Sequence, residues 1–227
     1  MSANLDMVFC DIEDLYLRFK LSKLIEIIND IGYQAVNLIN FSTKEVLLNV
    51  IDLDSKNDID KLNNKNIKFT AINKKESINY SFYIGQGIDL FNKTNRMCII
   101  ASTLDTYALW KPEHNPEKYS EIILTLAIKL QEYIRSTYGF IDLDFGMDAP
   151  FDDLEKNNIS KIYWTNIFGK TLVTKLGKEL LLSAPSWRTQ YLSDGSIIYI
   201  IGSSPGIAKE HVDIEKIKTH FKVSTVR

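Results

Sequence analysis

WRTQYLSDGSIIYII, residues 187–201, is the stretch from which the fold class is read. Trp187–Leu192 and Ile197–Ile201 are two runs rich in β-branched and aromatic residues, which favour strands. Ser193-Asp-Gly-Ser196 joins them. Asp194-Gly195 suits a two-residue type I′ turn, whose central residues both take positive φ. The expectation is an antiparallel hairpin near the C-terminus. Beyond it, Ile214, Ile217 and Phe221 share the spacing of one helix face, with Asp213 ahead of them as a natural cap.

Working back, a short helix carries Leu172, Val173 and Leu176 and stops near Gly177, and Ile162–Phe168 is apolar and aromatic. Phe140–Phe145 alternates, with Ile141, Leu143 and Phe145 on one side and Phe140, Asp142 and Asp144 on the other. Gly146–Glu155 reads as a loop or short helical turn. Asn115 caps and Pro116 opens a helix through Ile122, Ile123, Leu126, Leu130, Tyr133 and Ile134, which Tyr138-Gly139 ends. Trp110–Asn115, with two prolines about it, breaks the chain into halves 1–109 and 110–227: two small domains or one continuous one. In the first half, Leu17–Gly32 is an amphipathic helix stopped by Gly32. Strands follow at Ala35–Asn40, Glu45–Leu53, Ile67–Ile72, Tyr80–Ile84 and Arg96–Ser102. The fold class is α+β, with mixed or antiparallel sheets, a few packed helices, and a C-terminal β-hairpin and helix.

At 227 residues, 45% hydrophobic and 25% charged, the chain can bury a core without disulfides or metals. Cys10 and Cys98 lie in apolar stretches outside any CxxC, so they read as buried thiols, with a disulfide or metal site the lesser alternative. Met1–Cys10 lacks the basic and apolar regions of a secretory signal. The longest apolar runs, Met97–Ala101 and Ile197–Ile201, are far short of a membrane span. The expected location is the cytoplasm. A net charge of −2 argues against direct nucleic-acid binding, which leaves a basic footprint.

Motifs for catalysis and cofactors are missing. Gly202-Ser-Ser-Pro-Gly206 matches G-x-S-x-G, but a nucleophile elbow uses the N–H of the residue after the serine, and Pro205 has none. Losing such a donor costs about 3 kcal/mol in the transition state. Gly85-Gln-Gly87 has Leu90 in place of the third glycine of a dinucleotide fingerprint. His114, His211 and His220 have no metal-ligand spacing. His211-x-Asp213 is better explained by the helix cap than by acid–base work. No cofactor is expected.

The most unusual segment is acidic. Asp142, Asp144, Asp148, Asp152, Asp153 and Glu155 stand together without a basic residue. A solvated surface is the plain reading. A calcium loop fits poorly, because Leu143 and Phe145 alternate as strand residues and no glycine holds the required place. The functional reading is a negative patch that speeds and orients docking on a basic partner. A nuclease, whose groove must hold phosphates, is a natural partner. Trp110, Trp164 and Trp187 read as core residues or as interface anchors.

Ile162-Tyr-Trp-Thr-Asn-Ile-Phe-Gly169, Leu176-Gly177, Leu181-Leu-Ser-Ala-Pro185 and the Asp-Gly hairpin resemble a pattern in bacterial α+β proteins found beside polymorphic toxins, immunity protein 52 among them. The resemblance spans about Trp110 to Pro205. It implies a non-enzymatic protein that binds and blocks a cognate secreted toxin. It carries no shared contact residues, and Tyr163, Trp164, Asn166, Phe168 and Gly169 are as suited to defining the fold as an interface. The sequence-based expectation is therefore an immunity protein whose acidic segment contacts the toxin. The rivals are a metal-dependent hydrolase using Asp142 and Asp144, and a scaffold or regulatory subunit.

Overall fold

The computed structural model describes residues 4–10, 20–50, 59–61, 66–73, 79–86, 97–103, 116–143, 159, 161–205, 213–223 and 225–226. Its strands are β1 Leu5–Cys10, β2 Gln34–Asn40, β3 Val46–Val50, β4 Ile67–Ile72, β5 Tyr80–Gln86, β6 Met97–Thr103, β7 Tyr138–Leu143, β8 Lys161–Ile162, β9 Thr165–Phe168, β10 Arg188–Tyr191, β11 Ile197–Ile200 and β12 Thr225–Val226. The helices are α1 Leu21–Asp30, α2 Pro116–Ile134, α3 Lys170–Leu176, α4 Lys178–Leu182 and α5 Ile214–Phe221. Ten strands form one sheet in the order β10-β11-β9-β7-β1-β6-β5-β4-β2-β3, every described pairing antiparallel, and β12 pairs with β8 in parallel. The fold is α+β with a sheet-dominated core.

β1 decides the architecture. It pairs with β6 on one side and β7 on the other, so strands from before and after Trp110 share one sheet. Met7, Val8, Phe9 and Cys10 are all buried, as a strand covered on both faces requires. One face carries Phe69, Phe82, Ala101, Met7 and Ile141 in a single row. α1 and α2 lie over this face. α1 buries Leu21, Leu24, Ile25 and Ile28, and α2 reaches β10 through Arg188 Nη1, which donates to Glu121 Oε1 at 2.9 Å. The core is packed between them.

The opposite face is covered differently along its length. At the β7–β11 end, Tyr163 stacks on Phe140 with ring centroids 4.1 Å apart, and Phe221 of α5 meets Tyr199 edge-on at 5.3 Å. The Phe221–Tyr199 contact holds the C-terminal helix against the sheet.

Several expectations are corrected in detail. α2 ends at Ile134, where Arg135 takes φ 56°, and Tyr138-Gly139 opens β7 instead of terminating the helix. The alternation in Phe140–Phe145 does not mark a half-buried strand, because Phe140, Ile141 and Asp142 are all buried. The hairpin turn is not type I′: of Asp194 and Gly195, only Gly195 has positive φ, at 89°. Gly195 N donates to Leu192 O at 3.1 Å and Leu192 N to Ser196 O at 2.9 Å. This is a three-residue loop with glycine in the left-handed position. Asp194 Oδ1 accepts from Ser196 N at 3.0 Å and so stabilises the turn through its side chain.

Candidate functional site

The acidic segment starts on β7, and the sheet determines what surrounds its first member. Register pairs Val36 with Thr70, Thr70 with Ser81, Ser81 with Ser102, Ser102 with Asp6, and Asp6 with Asp142. Five polar residues therefore form one continuous row across β4, β5, β6, β1 and β7, on the face opposite α1 and α2. Directly opposed side chains on an antiparallel pair share a face with Cβ atoms about 5 Å apart. Ser102 Oγ donates to Asp6 Oδ1 at 2.6 Å. Asp142 Oδ1 accepts from Leu143 N at 2.8 Å.

Asp142 is only 6% exposed. It is thus a buried carboxylate at the foot of the acidic segment and offers little surface for contact. Asp144, Asp148, Asp152, Asp153 and Glu155 lie outside the described residues. Sequence reading missed Asp6, because Leu5–Cys10 was not recognised as a strand. Its only signal was an acid inside an apolar run. Among the described residues no group of three or more His, Cys, Asp or Glu is placed to hold a metal ion.

The motif residues from Tyr163 to Gly169 build a buried corner. Asn166 Oδ1 accepts from Tyr163 N at 3.2 Å and Tyr138 Oη at 3.1 Å, and Asn166 Nδ2 donates to Tyr163 O at 2.9 Å. The amide thereby clamps the bend between β8 and β9 with its hydrogen-bonding groups engaged. Burial pushes the Tyr138 phenol well above its usual range, and Tyr163, Cys10 and Asp142 add to the effect. Trp164, 1% exposed, donates from Nε1 to Gly202 O at 2.8 Å. Gly169 N donates to Thr137 O at 2.9 Å. A Cβ on Gly169 would stand 1.9 Å from Ser136 O, so close approach of two backbones demands glycine here. Leu181 is buried, and Tyr199 Oη donates to Pro185 O at 2.5 Å. These residues shape the fold.

The remaining candidates separate cleanly. Ser203 and Ser204 are buried, which removes the exposed serine a nucleophile elbow needs. Asp213 caps α5, accepting from Glu215 N at 3.1 Å and Lys216 N at 3.2 Å, while His211 lies outside the described residues. Trp164 is core. Trp187 is 37% exposed beside edge strand β10, where Tyr191 is 51% exposed, and Trp110 lies outside the described residues. No described helix is long and apolar enough to cross a membrane.

No protein-family model matches the sequence, and no curated protein matches it. Among solved structures, the chain is similar to one named Pseudomonas aeruginosa T6SS protein PA0821. The TM-score is 0.52 at 10% identity, over 97% of this chain and 72% of the other. At that identity the likeness concerns the fold.

Proposed function

We propose that this protein is a bacterial immunity protein that binds and blocks a cognate secreted antibacterial toxin, with a nuclease effector as the favoured partner. The observation that carries the reading is the likeness to a T6SS-named protein across 97% of the chain, which agrees with the secretion-linked context implied by the motif resemblance. The acidic segment supports it from a separate direction. Asp144, Asp148, Asp152, Asp153 and Glu155 follow directly from a strand end where Asp6 and Asp142 already stand side by side. A run of carboxylates attracts a cationic groove and fixes its orientation. The contact residues in this reading are those five. Asp142, being buried, is not among them. The protein itself performs no chemistry, takes no cofactor, and acts in the cytoplasm without touching nucleic acid or membrane.

The test is to coexpress the product of the neighbouring reading frame with and without this protein, then to repeat it with lysine at those five positions. The expected result is protection by the native chain, loss of protection by the reversed one, and association slowed about tenfold or more at low salt. Equal protection by the reversed chain refutes the interface. Failure of the native chain to bind or protect against that product refutes the function.

A further inference from the structure

β1 ends at Cys10, β6 begins at Met97, and their register sets Cys10 directly opposite Cys98. An antiparallel ladder has two kinds of opposed pair, and they differ in spacing. Thr103 reveals which kind this is. It stands opposite Leu5, one step beyond the Asp6–Ser102 pair. Thr103 Oγ1 accepts from Leu5 N at 2.9 Å and donates to Leu5 O at 3.2 Å. Both backbone groups of Leu5 therefore point toward β6. The direction alternates along a strand, so those of Met7 and Phe9 also point to β6, while those of Asp6, Val8 and Cys10 point to β7. Gly139 of β7 agrees, since a Cβ built there would meet Val8 O at 2.8 Å.

Cys10 and Cys98 thus occupy a non-hydrogen-bonded pair, where α-carbons lie about 4.5 Å apart. Disulfides span α-carbons roughly 4.4–6.8 Å apart. We propose that Cys10 and Cys98 form a cross-strand redox pair: a dithiol under reducing conditions that closes to a disulfide with a low-molecular-weight disulfide oxidant, stapling β1 to β6. The chemistry balances with oxidised glutathione. One cysteine thiolate attacks it and expels a glutathione thiolate. The second cysteine thiolate attacks the mixed disulfide and expels the other. Two electrons pass to the oxidant, and the two thiol protons end on two reduced glutathiones.

The position gives the bond a consequence. β1 is the strand through which the two ends of the sheet are joined, and the bond would close a long loop of chain across it. Cys10, now a thiol, is 1% exposed, so closure in the folded protein waits for local opening, whereas closure during folding does not.

The test unfolds the full chain and refolds it with oxidised glutathione or with dithiothreitol. The expected product of the first has lost two hydrogens, shows no alkylatable thiol after denaturation, and yields one peptide pair linking Cys10 to Cys98. Its thermal midpoint lies roughly 10 °C above the reduced form. Cys10→Ser and Cys98→Ser, prepared the same way, show no such rise. Two alkylatable thiols, glutathione adducts, or links only between chains in refolded wild type overturn the pair. A linked chain with an unchanged or lower midpoint overturns the staple.

Discussion

Replacing Gly169 by alanine separates architecture from interface in the Tyr163–Gly169 motif. The backbone at this position has φ −65° and ψ 161°, which alanine adopts freely. Conformational entropy alone would make the substitution neutral or stabilising by up to about 1 kcal/mol. Sterics dictate the opposite outcome. The new Cβ would stand 1.9 Å from Ser136 O, 2.8 Å from Thr137 O and 2.9 Å from Thr137 Cα, all backbone atoms. Restoring ordinary contact requires a shift of roughly 1.5 Å between two segments that are hydrogen-bonded to each other. The shift breaks the Gly169 N to Thr137 O hydrogen bond and loosens the junction of α2, β7 and α3. Overpacking plus a lost buried hydrogen bond costs about 3 kcal/mol or more. For a chain of this length that lowers the thermal midpoint by roughly 6–12 °C. Urea denaturation followed by circular dichroism measures it, with a lower midpoint at unchanged slope. Gly195→Ala is the control. Its φ is 89°, and its Cβ would meet the flexible Lys170 stem at 3.2 Å, so it costs about 1–2 kcal/mol through the backbone alone. If Gly169→Ala unfolds with wild type, the close packing of that corner is wrong, and the motif must be explained by a partner.

Two further predictions concern pH. The Asp213 carboxyl is held below its usual range chiefly by the backbone N–H of Lys216. A depressed carboxylate stabilises above its unfolded pKa and loses that contribution as pH falls through the folded value. Asp213→Asn, which keeps a capping oxygen, should flatten the acid limb of the stability curve, and an unchanged limb would remove the cap from the account. Burial raises the Tyr80, Tyr138 and Tyr199 phenols, so their stabilising effect is full below the unfolded tyrosine value and is lost as pH rises through the folded values. Ultraviolet titration should show these three of eleven tyrosines ionising only when the chain unfolds, and three ordinary titrations for them would contradict the packing.

Local chemistry was legible in the sequence where one element could be recognised by itself. Ile67–Ile72 shows its strand in β-branched residues and alternation, and Ile214–Phe221 shows its helix in spacing and cap. Gly32 and Gly177 marked helix ends, and both take positive φ. The hairpin was placed correctly, but its turn type was not. Asp-Gly is compatible with two loop geometries, and the strand register across Leu192 and Ser196 chooses between them.

β1 was not legible for a different reason. Leu5–Cys10 is buried on both faces, so it carries no alternation, and six residues are too few for an apolar run to declare a strand. Everything that depends on β1 was hidden with it. The union of both segments in one sheet, Asp6 beside Asp142, and Cys10 opposite Cys98 are all pairings across the chain. The sequence by itself determined the class of fold, the acidic run and the lack of a readable catalytic motif, because these depend on neighbours along the chain. Only the tertiary structure decided that Asp142 is buried and that Tyr163–Gly169 is a packed corner. Burial and register are set by which strands lie side by side, and residues far apart in sequence meet through long-range pairing that no local pattern records.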